Sequence, residues 1–303
     1  MTTATAVALG ILQGITEFLP VSSSGHLALA RALLGYDLEP GMTFEIAVHF
    51  GSFCSIVVYF RKRLAGLFHG LASAIVRCGS SFAAYRADPS VRFTAIVLVS
   101  MLPAVAVGVT TKRYVEHAFV NPMLTASLLL VTGTALFSTR FANGRRAVRG
   151  GRARPGDSAP QVSTPGCNEE GVAPGRPVTL RSGAWIGVAQ AVAILPGISR
   201  SGATISTGLW LGVRRDELAE FSFLMVLPVL AGATLLESLE LVLAGRPVVT
   251  TSLAAGFAAS FVTGYLALAS LIALLKRSKL HYFGYYCWAL GLIGLFYFLT
   301  TRV

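Results

Sequence analysis

Hydrophobic residues occur along the chain in long blocks separated by short polar segments. One block, residues 250–275, contains no charged residue at all. A helix needs about 20 apolar residues to cross a bilayer core, whereas a helix of a soluble protein carries only an apolar stripe. The pattern therefore predicts an all-α polytopic membrane protein. Its six predicted transmembrane helices span residues 43–60, 92–110, 122–140, 218–240, 250–275 and 282–301.

Two further apolar blocks, residues 3–35 and 183–213, are each interrupted near the middle by Pro, Ser and Gly. The first break reads LPVSSSG from Leu19, and the second reads LPGISRSG from Leu195. Irregular backbone is tolerated at membrane depth only where it is packed in protein or lines a wet cavity. Each block is therefore predicted to form a re-entrant helical hairpin that enters and leaves on the same side.

The two halves of the chain align with each other after a shift of 177 residues. The aligned pairs include Gln13 with Gln190, Ser22 with Ser199, Ser24 with Ser201 and Gly25 with Gly202. Chance similarity between apolar segments does not account for these shared polar positions. Each half contains one hairpin and three spans in opposite orientation, which predicts an inverted-topology repeat. The predicted boundaries are a first repeat at 1–141, a linker at 142–182 and a second repeat at 183–303.

Composition and charge favour the same class of protein. Hydrophobic residues make up 54% of the chain and charged residues only 13%, against about 25% charged residues in soluble domains. The net charge of +11 is also typical of nucleic-acid-binding proteins. Here, however, the positive residues lie in a few loops between apolar blocks, so no nucleic acid is expected as a partner. The four cysteines lack the paired spacing of a disulfide framework or a zinc site.

The distribution of positive charge predicts the orientation. Loops at 61–92, 140–181, 214–215 and 276–281 hold 19 of the 25 Lys and Arg residues. The positive-inside rule places these loops in the cytoplasm and both termini outside. The first hairpin then enters from outside and the second from the cytoplasm, so that their tips meet near the midplane.

The linker has a composition of its own. Residues 142–179 contain seven Gly, five Pro and six Arg but no Leu, Ile, Met or aromatic residue. Such a segment buries too little apolar surface to order itself, which predicts a flexible cytoplasmic linker. Its arginines either stay solvated or contact anionic membrane lipids.

Each predicted hairpin carries a single charged residue. Glu17 is the only Asp, Glu, Lys or Arg among the first 30 residues, and Arg200 is the only one between 182 and 213. A charge at the bilayer centre costs at least about 2.5–3.5 kcal/mol. An ion pair that only locks the repeats together is the structural alternative, but such a pair does not need other polar groups around it. The polar residues that the converging tips would add are His26, Ser22, Ser23, Ser24, Ser199 and Ser201.

These residue types suit phosphate chemistry. Arg200 offers a planar bidentate fork for phosphate. The segments 22–26 and 199–203 each precede a helical run, so backbone N–H groups at two helix starts can bind two phosphates. Gln13 and Glu17 lie four residues apart on one helix face and can bind one ligand or one divalent cation. A phosphate-binding site in apolar surroundings indicates a lipid phosphate as substrate.

Three nucleophiles are compatible with the residues: Ser23, His26, or a water held by Glu17 and a divalent ion. Ser23 lies three residues before His26, which predicts that both share a helix face and that His26 accepts the hydroxyl proton. Ser22 and Ser24 are expected to cap the helix instead.

Two ordered motifs resemble those of the undecaprenyl-diphosphatase family of the bacitracin-resistance type. The first runs from Gln13 to His26 (QGITEFLPVSSSGH) and the second from Pro196 to Thr204 (PGISRSGAT). The likeness covers nearly the whole chain outside 142–182. It implies hydrolysis of C55 undecaprenyl diphosphate to the monophosphate and inorganic phosphate, which recycles the carrier lipid for cell-wall synthesis.

The resemblance also implies roles for individual residues. Glu17, Ser23, His26 and Arg200 would be catalytic. A divalent cation, Mg or Ca, would bind Glu17 and Gln13, although the family often has Glu at the Gln13 position and an amide is the weaker ligand. The expected substrate-binding residues are Gln13, Ser22, Ser24, Gly25, Glu45, Ser199, Ser201, Gly202 and Thr204.

The resemblance further implies a multi-pass protein of the plasma membrane whose site opens to the extracytoplasmic side. The oligomeric state, a monomer or a homodimer, stays open. An alternative function is a polyprenyl-phosphate flippase, because inverted repeats with broken helices are typical of transporters.

Three further expectations concern single positions. Glu45 and His49 lie four residues apart in the first span, and they either face the cavity or form a buried hydrogen-bonded pair. Thr204 either contacts phosphate or bonds back within its helix. The aromatic residues of 282–288 are expected to form a belt at the membrane interface.

Overall fold

The computed structural model describes residues 2–34, 42–77, 88–150, 175–243, 245, 250–276 and 279–301. Within these ranges the chain is helical apart from turns and one isolated β-bridge between Arg176 and Val213. The described helices are α1 (Thr3–Phe18), α2 (Ser23–Leu34), α3 (Met42–Tyr59), α4 (Arg61–Arg77), α5 (Pro89–Phe119), α6 (Pro122–Gly150), α7 (Leu180–Val192), α8 (Arg200–Trp210), α9 (Arg215–Leu243), α10 (Thr251–Lys276) and α11 (His281–Thr301).

All six predicted spans are present as helices. Those in α5, α6, α9, α10 and α11 are each long and apolar enough to cross a membrane. The sixth, α3, passes the same test together with α4, from which it is bent by 74°. The prediction of an all-α polytopic membrane protein is confirmed.

Helix α4 was not predicted, because its many charges made residues 61–92 resemble a loop. It is amphipathic: Leu67 is buried, while Arg61 and Lys62 are exposed. Arg63 pairs with Glu220 of α9 and lies over the ring of Phe93 of α5, 4.9 Å from its centroid. A helix that buries only a stripe lacks the continuous apolar run by which a span is recognised.

Both predicted hairpins are formed, by α1 with α2 and by α7 with α8. At 1.5 Å per residue α1 is about 24 Å long and reaches well beyond the middle of a hydrocarbon core of about 30 Å. The first arm of each hairpin packs against the second of the three spans of the other half. A Cβ at Gly10 would overlap the Gly256 carbonyl of α10, and one at Gly187 would overlap the Ser100 carbonyl of α5. The shift of 177 residues pairs these two glycines, so equivalent positions make equivalent close contacts.

The predicted linker of 142–182 has different ends in the structure. Helix α6 continues to Gly150, and α7 begins at Leu180 with a capping box between Thr179 and Ser182. The predicted flexibility of its middle, residues 151–174, lies outside the described residues and stays a prediction.

Contacts at the two ends of the bundle agree with the two groups of loops that the distribution of Lys and Arg predicts. At one end, Arg63 meets Glu220, and Arg215 Nη1 donates to the carbonyl oxygen of Leu275 at 3.1 Å. At the opposite end, the Thr3 and Ser252 hydroxyls lie 3.3 Å apart. The starts of α4 and α9 and the end of α10, which border three of the loops rich in Lys and Arg, therefore share one end, away from the N-terminus.

Candidate active site

The turn of the first hairpin is fixed by Ser22. This residue has φ +69°, in the left-handed region that non-glycine residues rarely adopt. Its Oγ accepts a hydrogen bond from the backbone N–H of Gly25 at 3.2 Å and lies 3.3 Å from the Ser24 hydroxyl. The predicted capping role is confirmed for Ser22, whereas the Ser24 hydroxyl contacts the hydroxyl of Ser22.

The second hairpin starts its helix in the same way. Ser199 Oγ accepts from the backbone N–H of Gly202 at 3.1 Å and lies 3.2 Å from the Ser201 hydroxyl. These residues are the ones that the 177-residue shift pairs with Ser22, Gly25 and Ser24. Each break therefore presents a serine-capped helix start, where unpaired N–H groups favour an anion.

The two tips touch each other. A Cβ at Gly25 would lie 3.2 Å from Cα of Gly197. Gly197 has φ +93° and is held by Thr132 of α6, whose hydroxyl donates to its carbonyl at 2.8 Å and accepts from Ser199 N at 3.0 Å. Thr132 was not identified from the sequence, because nothing distinguishes it from other threonines of an apolar span.

Glu17 lies at the centre of the polar groups, with a side chain only 6% exposed. Ser23 Oγ donates to its Oε2 at 2.6 Å, and Gln13 Nε2 donates to the same oxygen at 3.0 Å. Arg200 Nη2 lies 3.5 Å from Oε1, and His49 of α3 is near enough to interact electrostatically. The predicted meeting of Glu17 and Arg200 across the two hairpins is therefore formed.

The predicted pairing of Ser23 with His26 is wrong. Ser23 donates to Glu17 instead. The left-handed turn at Ser22 brings the hydroxyl of Ser23 to the C-terminal end of α1, where Glu17 lies. His26 Nδ1 lies 2.7 Å from the Ser22 carbonyl oxygen, and its Nε2 lies 2.8 Å from the Tyr286 hydroxyl. Glu17 is thus the base within reach of the Ser23 proton.

Tyr286 is the main residue that sequence reasoning missed. It was expected only in an interface belt, yet its hydroxyl reaches a site histidine 260 residues earlier. A tyrosine in an aromatic run of a terminal span carries no local signal of such a contact.

The hydroxyl of Thr204 and the main chain of Glu45 each have a hydrogen-bond partner in the structure. Thr204 is fully buried; its hydroxyl bonds back to the Arg200 carbonyl at 2.9 Å and meets Ser222 Oγ of α9 at 2.6 Å. His49 Nδ1 lies 2.8 Å from the main-chain carbonyl oxygen of Glu45. Back-bonding is thus observed for Thr204, and its contact with phosphate stays a prediction, as does the contact of Glu45 with substrate.

The amide oxygen of Gln13, next to the carboxylate of Glu17, is suited to bind a divalent cation. Gln13 is fully buried, and its amide oxygen has no hydrogen-bond partner although the amide nitrogen bonds Glu17. An orphaned oxygen beside a carboxylate suits Mg or Ca, which take oxygen ligands and often complete their shell with substrate phosphates. Among the described residues no group of three or more His, Cys, Asp or Glu side chains gathers around a point. A cation at Glu17 and Gln13 would therefore need further oxygen ligands, among which substrate phosphates are candidates.

Comparison with known proteins identifies relatives along nearly the whole chain. Residues 6–293 match the model of the family described as bacitracin resistance protein BacA. A protein of Desulforapulum autotrophicum is 37% identical over 292 residues, covering 95% of this chain and 96% of the relative. One of Bacteroides thetaiotaomicron is 36% identical over 291 residues (95% and 96%), and one of Salinibacter ruber is 35% identical over 291 residues (96% and 97%). All three relatives are named undecaprenyl-diphosphatase.

Proposed function

The chain belongs to the bacitracin resistance protein BacA family, and from that membership we propose that it is a membrane phosphatase acting on undecaprenyl diphosphate. The products are undecaprenyl phosphate and inorganic phosphate, so the reaction recycles the carrier lipid of cell-wall synthesis. The flippase alternative is not favoured, since the relatives are named for a diphosphatase.

The observation that carries the mechanism is the hydrogen bond of 2.6 Å from Ser23 to Glu17 beside Arg200. A hydroxyl becomes a nucleophile when an adjacent base takes its proton. Glu17 is in place for that task, and the helix start at α2 presents Ser23 at the tip where the two hairpins meet.

In the first step, Ser23 Oγ attacks the terminal phosphorus and its proton passes to Glu17. The bond between that phosphorus and the bridging oxygen breaks, Glu17 passes the proton to that oxygen, and undecaprenyl phosphate leaves. In the second step a water attacks the phosphoserine, gives a proton to Glu17, and inorganic phosphate leaves as the proton returns to Ser23 Oγ. Atoms and charge balance over the two steps.

Arg200 and the helix starts stabilise the transferring group. A guanidinium has five N–H donors, and the pair with Glu17 engages Nη2, so further donors remain for phosphate oxygens. The start of α8, which Ser199 caps and where the Ser201 hydroxyl lies 3.2 Å from Ser199 Oγ, faces the same tip and is proposed to hold the second phosphate. Phosphoryl transfer depends chiefly on such positioning and charge neutralisation.

A divalent cation would be held by the Glu17 carboxylate and the Gln13 amide oxygen. When bound, it would neutralise charge on the diphosphate oxygens.

His26 is proposed to add positive charge beside the diphosphate. A buried imidazolium needs an acceptor for each N–H, and the Ser22 carbonyl and the Tyr286 hydroxyl supply both.

The orientation is part of the proposal. The arginine-rich end of the bundle lies in the cytoplasm, the N-terminus lies outside, and the site opens to the extracytoplasmic side of the plasma membrane. The asymmetry of Lys and Arg supports this orientation.

The test is release of inorganic phosphate by purified protein in detergent, where transport has no meaning. We expect turnover of C55 diphosphate, little or none of C55 monophosphate, and a loss of at least about 10²-fold in Glu17→Gln. Folded wild-type protein that releases no phosphate from the diphosphate would overturn the proposal.

A further inference from the structure

Tyr286 projects from the last helix, α11, into the turn of the first hairpin. Its ring lies nearly parallel to that of His26, with an interplanar angle of 4° and centroids 5.7 Å apart, and its hydroxyl is 2.8 Å from Nε2. The next residue, Cys287, has its sulfur 3.8 Å from the Pro20 carbonyl oxygen. Two consecutive residues of α11 thus hold the segment that carries Ser22 and His26.

The partner of Nδ1 determines the tautomer of His26. A backbone carbonyl can only accept, so the nitrogen 2.7 Å from the Ser22 oxygen carries a hydrogen. In the neutral ring Nε2 then has a lone pair, and the Tyr286 hydroxyl donates to it. If Nε2 takes up a proton, the hydroxyl turns and accepts from it. One side chain therefore satisfies the buried ring in both protonation states.

The other titratable groups of this part of the site contact residues other than His26. Glu17 bonds Ser23 and Gln13 and pairs with Arg200. Cys287 lies against Pro20. Tyr286 is the residue whose hydroxyl contacts the imidazole on the side away from Ser22.

We propose that Tyr286 is a positioning residue for the hydrolysis: it orients His26 and stabilises its protonated form beside the diphosphate. The inference rests on the proposed function and concerns the same site. Without the hydroxyl, a charged His26 would keep a buried N–H with no acceptor, and the charged form would cost more.

The chain offers a matched control at the adjacent position. Tyr285 and Tyr286 are 46% and 47% exposed. Tyr285 packs on Phe137 and Trp288, with ring centroids 5.7 and 5.9 Å away. Tyr285→Phe therefore removes a hydroxyl from the same helix without touching His26.

The experiment measures kcat for phosphate release from C55 diphosphate between about pH 5.5 and 9 in wild type, Tyr286→Phe and Tyr285→Phe. In Tyr286→Phe we expect kcat at neutral pH to fall by about tenfold or more, the scale of a lost hydrogen bond to a charged group. The alkaline limb of its profile should move to lower pH, because the protonated ring has lost an acceptor. Tyr285→Phe should match wild type throughout.

The kcat of the double variant Tyr286→Phe with His26→Gln supplies the second readout. A residue that acts through His26 should cost little more once His26 is replaced, because the two act as a unit. Losses that multiply in the double variant would overturn the inference.

Two further outcomes of the pH profiles would count against the role of Tyr286. A Tyr286→Phe profile that is lowered equally at every pH would show only a smaller folded fraction and would overturn the inference, as would a profile identical to wild type. In both cases wild-type turnover keeps the proposed function standing. A wild-type protein without turnover would overturn the proposed function first.

Discussion

Glu17 accepts two hydrogen bonds on one carboxylate oxygen and pairs with Arg200 through the other. In the proposed mechanism this arrangement makes Ser23 and Glu17 one unit, in which the carboxylate takes the proton of the hydroxyl. Ser22 and Ser24 have other contacts: Ser22 Oγ accepts from the backbone N–H of Gly25, and the Ser24 hydroxyl lies beside Ser22 Oγ.

Replacement of Ser23 tests that unit. Ser23→Ala should lower kcat by at least about 10²-fold, and Ser23→Ala combined with Glu17→Gln should be little worse than either single variant. Ser24→Ala should be milder, at about tenfold or less. Ser270→Ala on α10, an exposed serine that bonds only back to Leu266 in the described contacts, serves as the unchanged control. Ser23→Ala activity within a few-fold of wild type would remove serine from the mechanism and leave His26 or a water as the nucleophile.

Gln13 allows a separate test of cation binding. Gln13→Glu adds a second carboxylate beside Glu17, and two buried carboxylates repel unless a cation lies between them. The Mg or Ca concentration for half-maximal activity, titrated after chelation, should fall by roughly tenfold as ligand charge rises. Gln13→Leu removes the orphaned oxygen and should shift the titration in the opposite direction. Equal cation dependence in all three proteins would contradict the proposed metal ligands.

At the scale of elements, the site depends on two broken hairpins whose tips are in van der Waals contact. Gly197 has φ +93°, and a Cβ added there would lie only 2.3 Å from the Thr125 carbonyl oxygen of α6. Thr132 fixes the tip from α6 by bonding on both sides of Ile198. The position of Arg200 relative to Glu17 therefore follows from backbone packing as well as from charge.

Gly197→Ala should disturb this packing directly. A left-handed position disfavours a side chain by about 1–2 kcal/mol, and the overlap with backbone adds to that cost. We expect a lower melting temperature in detergent and a loss of kcat. Gly232→Ala is the matched control, because an added Cβ there meets nothing within 4 Å and alanine favours a helix. Equal melting temperatures in the two variants would show that the tip is not under the inferred constraint.

Local sequence predicts the hairpins and spans but not the contacts that join them. The breaks at Leu19 and Leu195 and the long apolar runs are local signals, so their elements are confirmed. The partner of Ser23 could not be inferred, because the choice between His26 and Glu17 depends on the positive φ of Ser22. The bond from Tyr286 to His26 joins residues 260 positions apart, and one sequence carries no record of that distance.

At the scale of the whole molecule, equivalent contacts recur in both halves. The serine-capped helix starts at Ser22 and Ser199 match, whereas Glu17 aligns with Ile194 in the second half. The repeat thus supplies two similar serine-capped helix starts, and of the two aligned positions only Glu17 is an acid. This difference between the halves agrees with the proposal that the first helix start reacts with one phosphate and the second binds the other.

The orientation of the bundle determines on which side the phosphate is released, and single cysteines can measure it. Lys62 and Thr250 are exposed and lie at opposite ends of the bundle, near Arg63 and near Ser252. In a variant without Cys54, Cys78, Cys167 and Cys287 that retains activity, Thr250→Cys should react with a membrane-impermeant thiol reagent in intact cells. Lys62→Cys should react only after permeabilisation, because the loops at its end hold most of the Lys and Arg residues.

Two results would contradict this orientation in different ways. Labelling of both cysteines from outside would mean that α3 and α9 do not place them on opposite sides, and the inverted arrangement would be wrong. Labelling of Lys62→Cys alone would keep the arrangement but reverse it in the membrane. The first hairpin, with Glu17 and Ser23, would then enter from the cytoplasm, and the reaction would release its phosphate there.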